Sequence, residues 1–351
     1  MKRVYNINIE AQHPLPTPQE IHAELPLSPQ MEDFVENARN QITRIIRRED
    51  PRILIVTGPC SIDNADAARE YSDKLAALAR KVSSKFLIVM RTYFEKPRTT
   101  IGWKGMVYDP DLDKTFNIEK GLRLSRRILL EMAEKQMPTA TEFLDPIIPQ
   151  YLSDLVSWAA IGARTTESQT HRQLVSGLSM PVGFKNATDG SIHIAIDAIK
   201  TAAAKHSFLG VINDGRTGVF HTRGNPNCNV ILRGSTTETN YSSEYIAFTE
   251  ELMRKSGLIP SIIVDCSHGN SRRDPLNQPG VFFDVLDQIN AGKGSAIAGI
   301  MLESYLKTGK QSIAVGGNSR MTYGLSVTDP CLGWNETEAM ILTAFEKAKI
   351  G

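Results

Sequence analysis

From residue 52 onward, short continuous apolar runs alternate with longer stretches in which apolar residues recur at helical spacing. The runs are Ile53 to Val56, Leu87 to Met90, Thr139 to Thr141, Ala159 to Ala163, Pro181 to Phe184, Val230 to Leu232, Ile262 to Val264 and Ile297 to Leu302. Parallel strands covered on both faces by crossover helices read this way, because neither side of the sheet meets water. Eight such strands in roughly 250 residues predict an α/β fold, a TIM (β/α)8 barrel. A doubly wound sheet is the competing arrangement, and it is disfavoured because no GxGxxG follows the first run.

Three stretches depart from the repeat. In the first fifty residues, Val4 to Ile9 alternates like a short strand, and Pro14, Pro16 and Pro18 precede a helix expected from Gln30 to Arg48. We read residues 1–50 as an arm and 51–351 as the barrel. Phe208 to His221 alternates on either side of Asn213-Asp214-Gly215, which predicts a β-hairpin of about 206–223 inserted between the fifth and sixth barrel strands. Arg98 to Lys114 has no period and reads as a long loop after the second strand, where barrel enzymes carry function.

Composition narrows the picture by exclusion. At 351 residues, 41% hydrophobic and 23% charged, the chain is expected to bury a sizeable core. Lys plus Arg number 40 against 39 for Asp plus Glu, a net charge of +1 that gives no footprint for nucleic acid or an anionic membrane. No apolar stretch approaches the ~20 residues of a membrane span, and the N-terminus lacks a signal-peptide core, so a cytosolic protein is expected. Cys60, Cys228, Cys266 and Cys331 lack CxxC spacing and read as thiols, one of them a possible ligand.

The residues ending each run carry the candidate chemistry. Arg91, Lys96, Arg98, Arg164, Lys185 and Arg233 follow the second, fourth, fifth and sixth runs, six cations at one mouth in a nearly neutral protein. They predict substrates with at least two anionic groups, phosphorylated or carboxylated. Cys60, His268, Glu303 and Asp329 make a mixed S/N/O donor set for a divalent first-row ion, although no spacing motif joins them. Glu142 ends the third run.

These residues resemble the microbial type I 3-deoxy-D-arabino-heptulosonate 7-phosphate (DAHP) synthases under amino-acid feedback control. The matching segments are Gly58-Pro59-Cys60-Ser61, Arg91 to Thr100, Gly102-Trp103-Lys104-Gly105, Ile161 to Gln169, Pro181 to Asn186, Asp265 to Asn270 and Ser326 to Asp329, in the family's order. Departures are Asp63 where His is common, Ala187 where Gly is usual, and Ser235-Thr236-Thr237-Glu238 in place of Gly-Gly-Lys.

The resemblance implies condensation of phosphoenolpyruvate with erythrose 4-phosphate, the entry to the shikimate pathway. It implies phosphoenolpyruvate contacts at Arg91, Lys96, Arg164, Lys185 and Arg233, and erythrose 4-phosphate contacts at Lys96, Pro97, Arg98, Thr99 and Asp329. One divalent ion, Mn, Fe, Co or Zn, is implied at Cys60, His268, Glu303 and Asp329, with Lys96 as proton donor and Glu142 placing a water. An aromatic effector is implied at Pro149, Gln150, Leu178, Ser179, Phe208 and Gly210, with Asn6 to Asn8 crossing from a neighbouring subunit of a dimer or tetramer. Gly210 points to L-tyrosine, because a Ser there would fill the space of the phenolic hydroxyl. Two rivals remain: the related barrel acting on arabinose 5-phosphate, and a non-catalytic amino-acid sensor on the same scaffold.

Overall fold

The structure, a computed structural model, describes residues 4–98, 100–314 and 320–350. Every apolar run forms a strand. In chain order these are β1 (Ile53–Gly58), β2 (Phe86–Arg91), β3 (Thr139–Glu142), β4 (Trp158–Ile161), β5 (Val182–Lys185), a hairpin of β6 (Ser207–Val211) and β7 (Thr217–His221), then β8 (Cys228–Leu232), β9 (Ile262–Asp265) and β10 (Ile297–Glu303). All but the hairpin close into a barrel in the order β1-β10-β9-β8-β5-β4-β3-β2, every pair parallel, with helices α3 (Ala65–Val82) and α4 (Ile118–Glu134) following β1 and β2.

The register decides what meets at the rim. Gly58 pairs with Glu303, Asp265 with Met301 and Lys185 with Ile231. The segments after Gly58, Lys185, Asp265 and Glu303 therefore leave the barrel at one end.

Alternation along β1 sends Leu54 and Val56 to one buried cluster and Ile53 and Ile55 to another. The first cluster holds Val89, Ala140, Trp158, Ile231, Ile263 and Met301 from other strands, so it fills the barrel. Ile42, Ile45 and Ile46 join it from a helix of the N-terminal segment, α2 (Pro29–Ile46). The Arg48 guanidinium, just beyond α2, donates to Ile297 O at the start of β10, so α2 closes the end opposite the rim.

The N-terminal segment departs from expectation. Val4 to Ile9 forms no strand: it runs through bends and a turn, Asn6 adopts φ +54°, and Val4, Tyr5 and Ile7 are exposed. An alternating pattern becomes a strand only beside a ladder partner, and neither sheet of the described residues includes this stretch. The Pro-rich stretch instead starts a helix, α1 (Pro18–Glu24), with Pro18 in the first turn and Thr17 and Glu20 forming a reciprocal capping box. The longer helix begins at Pro29 behind the Ser28 cap, close to the expected start.

The hairpin is a two-stranded sheet outside the barrel, turning at Gly215 with φ +83°. Its turn rests on α1, where Gln19 N donates to Asn213 O at 2.8 Å. No helix among the described residues is long and apolar enough to cross a membrane.

Candidate active site

Cys60 is fully buried in the turn after β1, and the Lys96 ammonium donates to its Sγ at 3.0 Å and to its carbonyl at 3.1 Å. Burial pushes the Cys60 thiol up from its ordinary range, Glu303 adds to this, and Lys96 opposes it. The ligating atoms of Cys60, Glu303 and Asp329 lie within 4.8 Å of one another. Burial would raise the Asp329 carboxyl, but Lys96 and His268 outweigh it and hold it below the usual carboxylate range.

His268 stands beside this triad and not within it. Its Nε2 lies 3.7 Å from Glu303 Oε1, while its Nδ1 meets Asp265 Oδ2 at 2.9 Å and Ser267 Oγ at 2.7 Å. A thiol, two carboxylates and an imidazole presenting Nε2 fit a divalent first-row ion in donor chemistry, and the thiol and carboxylates fit it in spacing as well. The contact at Nδ1 is the usual outer support of a metal-binding His.

The cations converge as their strand-end positions imply. Lys96, Arg98, Arg164, Lys185 and Arg233 line one cavity of about 440 Å3, together with Glu142, His268, Glu303 and Asp329. Arg91 does not line it. It is buried beneath, its Nη2 donating to Glu303 Oε1 at 3.0 Å and its guanidinium 3.9 Å from the Tyr93 ring centroid. Arg98 is exposed and donates through Nε to Trp103 O at 2.8 Å, which braces the long loop; Pro97 is half-buried, and Thr99 lies outside the described residues. Glu142 is 5% exposed, and its Oε1 has no hydrogen-bond partner among the described residues. Gly162 lies directly against it, and a β-carbon there would make the Glu142 carboxylate swing away.

Three residues that the sequence reading gave no role complete the site. Asp265 is fully buried; its Oδ2 meets the Lys185 ammonium at 3.0 Å and His268, while its Oδ1 accepts from the Ser267 amide and hydroxyl. Burial would raise this carboxyl, but His268 and Lys185 overcome that and hold it well below the usual range. The signal was present, an acid ending an otherwise apolar run. Gln278 exchanges two hydrogen bonds of 2.9 Å with the Glu303 backbone and fixes the end of β10. Arg273 lines the cavity from a turn closed by its own N–H on His268 O at 2.8 Å, with φ +63°, a position that strand-end reasoning cannot reach.

The positions at which an effector is expected lie elsewhere. Pro149 and Gln150 begin the short helix α5 (Pro149–Leu152), and α1 packs against it, with the Tyr151 hydroxyl donating to Pro16 O at 2.8 Å. Leu178 and Ser179 follow α6 (Gln169–Val175), tied to the hairpin's foot by Ser176 and Thr222 hydroxyls 2.7 Å apart. Phe208 stacks on Phe220 with centroids 5.6 Å apart, and a β-carbon at Gly210 would lie 2.8 Å from Phe220 Cε2. Through α1, the α5 segment and the hairpin share one flank of the barrel; Asn8 is exposed on the arm and Asn6 is half-buried.

The model of the DAHP synthetase I family matches residues 24–342. The Tyr-sensitive phospho-2-dehydro-3-deoxyheptonate aldolase of Escherichia coli (strain K12) is 50% identical over 336 residues, 96% of this chain and 94% of that protein. The Phe-sensitive protein of the same organism is 50% identical over 307 residues, covering 88% and 87%. The phenylalanine-inhibited one of Saccharomyces cerevisiae is 46% identical over 345 residues, covering 97% and 93%. Among solved structures, phospho-2-dehydro-3-deoxyheptonate aldolase from Francisella tularensis SCHU S4 superimposes with a TM-score of 0.93 at 43% identity, covering 97% of this chain and 99% of that one.

Proposed function

The chain belongs to the DAHP synthetase I family, and from that premise we propose that its barrel mouth condenses phosphoenolpyruvate with D-erythrose 4-phosphate and water, giving 3-deoxy-D-arabino-heptulosonate 7-phosphate and phosphate. The observation that carries the reading is one cavity lined by six Lys and Arg side chains and bordered by the Cys60, Glu303 and Asp329 cluster.

Arg164, Lys185 and Arg233 bind the phosphate and carboxylate of phosphoenolpyruvate, with Arg91 adding positive charge from beneath. Arg98, with Pro97 and Thr99, holds the aldose phosphate at the outer end, so the two anions are kept apart and the aldehyde is delivered inward. Cys60, His268, Glu303 and Asp329 would hold a divalent ion, Mn, Fe, Co or Zn, whose chemistry would be Lewis acidity toward the aldehyde carbonyl. The enol carbon attacks the aldehyde carbon, a carbon–carbon bond forms, and Lys96 delivers a proton to the oxygen. Glu142 Oε1 orients the water that adds to the resulting cationic carbon. The added water loses one proton to solvent, and the hemiketal phosphate then breaks its carbon–oxygen bond as the hydroxyl gives up the second and becomes the ketone oxygen, the surrounding cations stabilising the departing phosphate dianion.

An aromatic amino acid inhibits the enzyme at the flank formed by the hairpin, α1 and α5, and the lack of a side chain at Gly210, against the Phe220 ring, selects L-tyrosine. The exposed Val4, Tyr5 and Ile7 of the arm and Leu209 and Val219 of the hairpin suit an interface between copies in a dimer or tetramer.

Phosphate release measured with a panel of aldose phosphates tests the function. Turnover with erythrose 4-phosphate, abolished by a chelator and restored to different extents by Mn2+, Co2+, Fe2+ or Zn2+, is expected. Preference for arabinose 5-phosphate, no turnover at all, or full activity without metal would overturn it.

A further inference from the structure

Asp63 sits in the segment that carries Cys60, is 4% exposed, and takes no part in the chemistry described above. Its two oxygens reach two other segments. Oδ1 accepts from the Tyr305 hydroxyl at 2.9 Å, and Tyr305 follows Glu303 on the extension of β10. Oδ2 accepts from the Val327 amide at 3.2 Å, in the segment that ends at Asp329. One carboxylate thus bridges the three stretches of chain that bear Cys60, Glu303 and Asp329.

Backbone ties flank the Asp329 segment, with Leu332 N donating to Glu303 O at 2.9 Å beyond the ligand and Gln311 N donating to Ser326 O at 2.7 Å before it, and side chains hold the stretch between. The Thr328 hydroxyl meets the Ser61 hydroxyl at 2.8 Å, and the Cys60 amide donates to Cys331 Sγ at 3.3 Å. Within the segment, the Ser326 hydroxyl donates to Asp329 O at 2.8 Å, so a shift at Val327 is passed along the backbone to the ligand. Asp329 is the outermost of the three ligands, and its carboxylate stays within reach of Cys60 and Glu303 only while this segment is docked.

We propose that Asp63 is a positioning residue that sets the spacing of the three ligand-bearing segments, and through it the affinity for the divalent ion. The inference rests on the metal reading above. Outer partners of metal ligands are typically worth roughly 10- to 100-fold in affinity. Asp63→Ala removes both hydrogen bonds, Tyr305→Phe removes one, and Asp63→Asn keeps both, its carbonyl accepting from Val327 and its amide donating to a turned Tyr305 hydroxyl.

The test titrates each metal-stripped variant with Co2+ alone, following the absorption band of the cobalt–thiolate bond, with thermal unfolding measured in parallel. Expected is a Co2+ Kd raised roughly 10- to 100-fold in Asp63→Ala, a smaller rise in Tyr305→Phe, and a value within about threefold of the unmutated enzyme in Asp63→Asn. At saturating Co2+, the KM for phosphoenolpyruvate should stay within about twofold. An unchanged Kd in Asp63→Ala, even with lowered thermal stability, would overturn the proposal. If Asp63→Ala does not fold, an unchanged Kd in Tyr305→Phe overturns it instead. Failure of the unmutated enzyme to give the thiolate band would refute the metal reading itself, a separate outcome.

Discussion

Replacing Asp265 with Asn tests how the site is held together. The native carboxylate sits between the Lys185 ammonium, whose side chain is 4% exposed, and His268 Nδ1, with the Ser267 amide and hydroxyl on its other oxygen. Asn keeps the shape and the acceptor for Ser267 but leaves a buried ammonium without its counter-charge. Orphaning one partner of a buried pair costs about 3–5 kcal/mol, and because Lys185 borders an open cavity the low end, about 3 kcal/mol, applies. Urea unfolding followed by circular dichroism should show that loss, and a double variant with Lys185→Met should recover part of it, since the uncompensated charge is then gone. The sign with pH follows from the low position of the Asp265 carboxyl. Its contribution is present above the ordinary carboxylate range near about 4 and is lost as pH falls through the lower folded value, so the two proteins should converge in acid. Activity should fall as well, because Lys185 and His268 both lose their anchor. Stability within about 1 kcal/mol of the unmutated protein, with kcat/KM within about twofold, would refute the argument.

Other expectations are equally direct. Arg98→Ala should raise KM for erythrose 4-phosphate far more than for phosphoenolpyruvate, and Arg164→Ala the reverse, each costing about 2–5 kcal/mol in kcat/KM; equal effects on both substrates would mean the anion sites are misassigned. Burial raises the Asp63 carboxyl to about 6, so the native state holds its proton more tightly than the unfolded chain does. Stability should therefore decline by up to roughly 3 kcal/mol as pH rises from about 4 through 6, a slope that Asp63→Asn lacks in urea titrations. A pH-independent difference between the two would contradict it. Gly210→Ser places a side chain where Phe220 now packs, 2.8 Å from the new β-carbon, and should move effector preference from tyrosine toward phenylalanine in inhibition series. Tighter inhibition of the unmutated enzyme by phenylalanine or tryptophan than by tyrosine would reject the reading of Gly210.

The barrel was legible because doubly covered parallel strands need unbroken apolar runs, and runs such as Ile53 to Val56 and Ile297 to Leu302 have no other use. The hairpin was legible from its turn, where Gly215 takes the φ that Asn-Asp-Gly favours. Val4 to Ile9 misled because alternation encodes a face, not a partner, and a strand needs both. α1 was hidden among prolines, although Thr17 and Glu20 spell its capping box once the start is known. At the site, strand ends announced Lys185, Glu303 and His268, while Asp265 was passed over because a buried anchor reaches no cavity. Arg91 shows the converse: its strand-end position suggested a substrate contact, yet it lies under Glu303 and outside the cavity lining. Asp63 was visible only as a departure from the family pattern, since its partners, Tyr305 and Val327, come from the far end of the chain.

The central claim is that one mouth holds both a divalent ion and a dianionic substrate, and diffraction from crystals loaded with Zn2+ and phosphoenolpyruvate, recorded across the zinc absorption edge, tests it most directly. The account predicts one strong anomalous peak, about 2.3 Å from Cys60 Sγ and about 2.0–2.2 Å from His268 Nε2 and an oxygen of Glu303 and of Asp329, with phosphoenolpyruvate lying across Arg164, Lys185 and Arg233. A peak away from Cys60, or substrate bound outside the cavity those cations line, would contradict it.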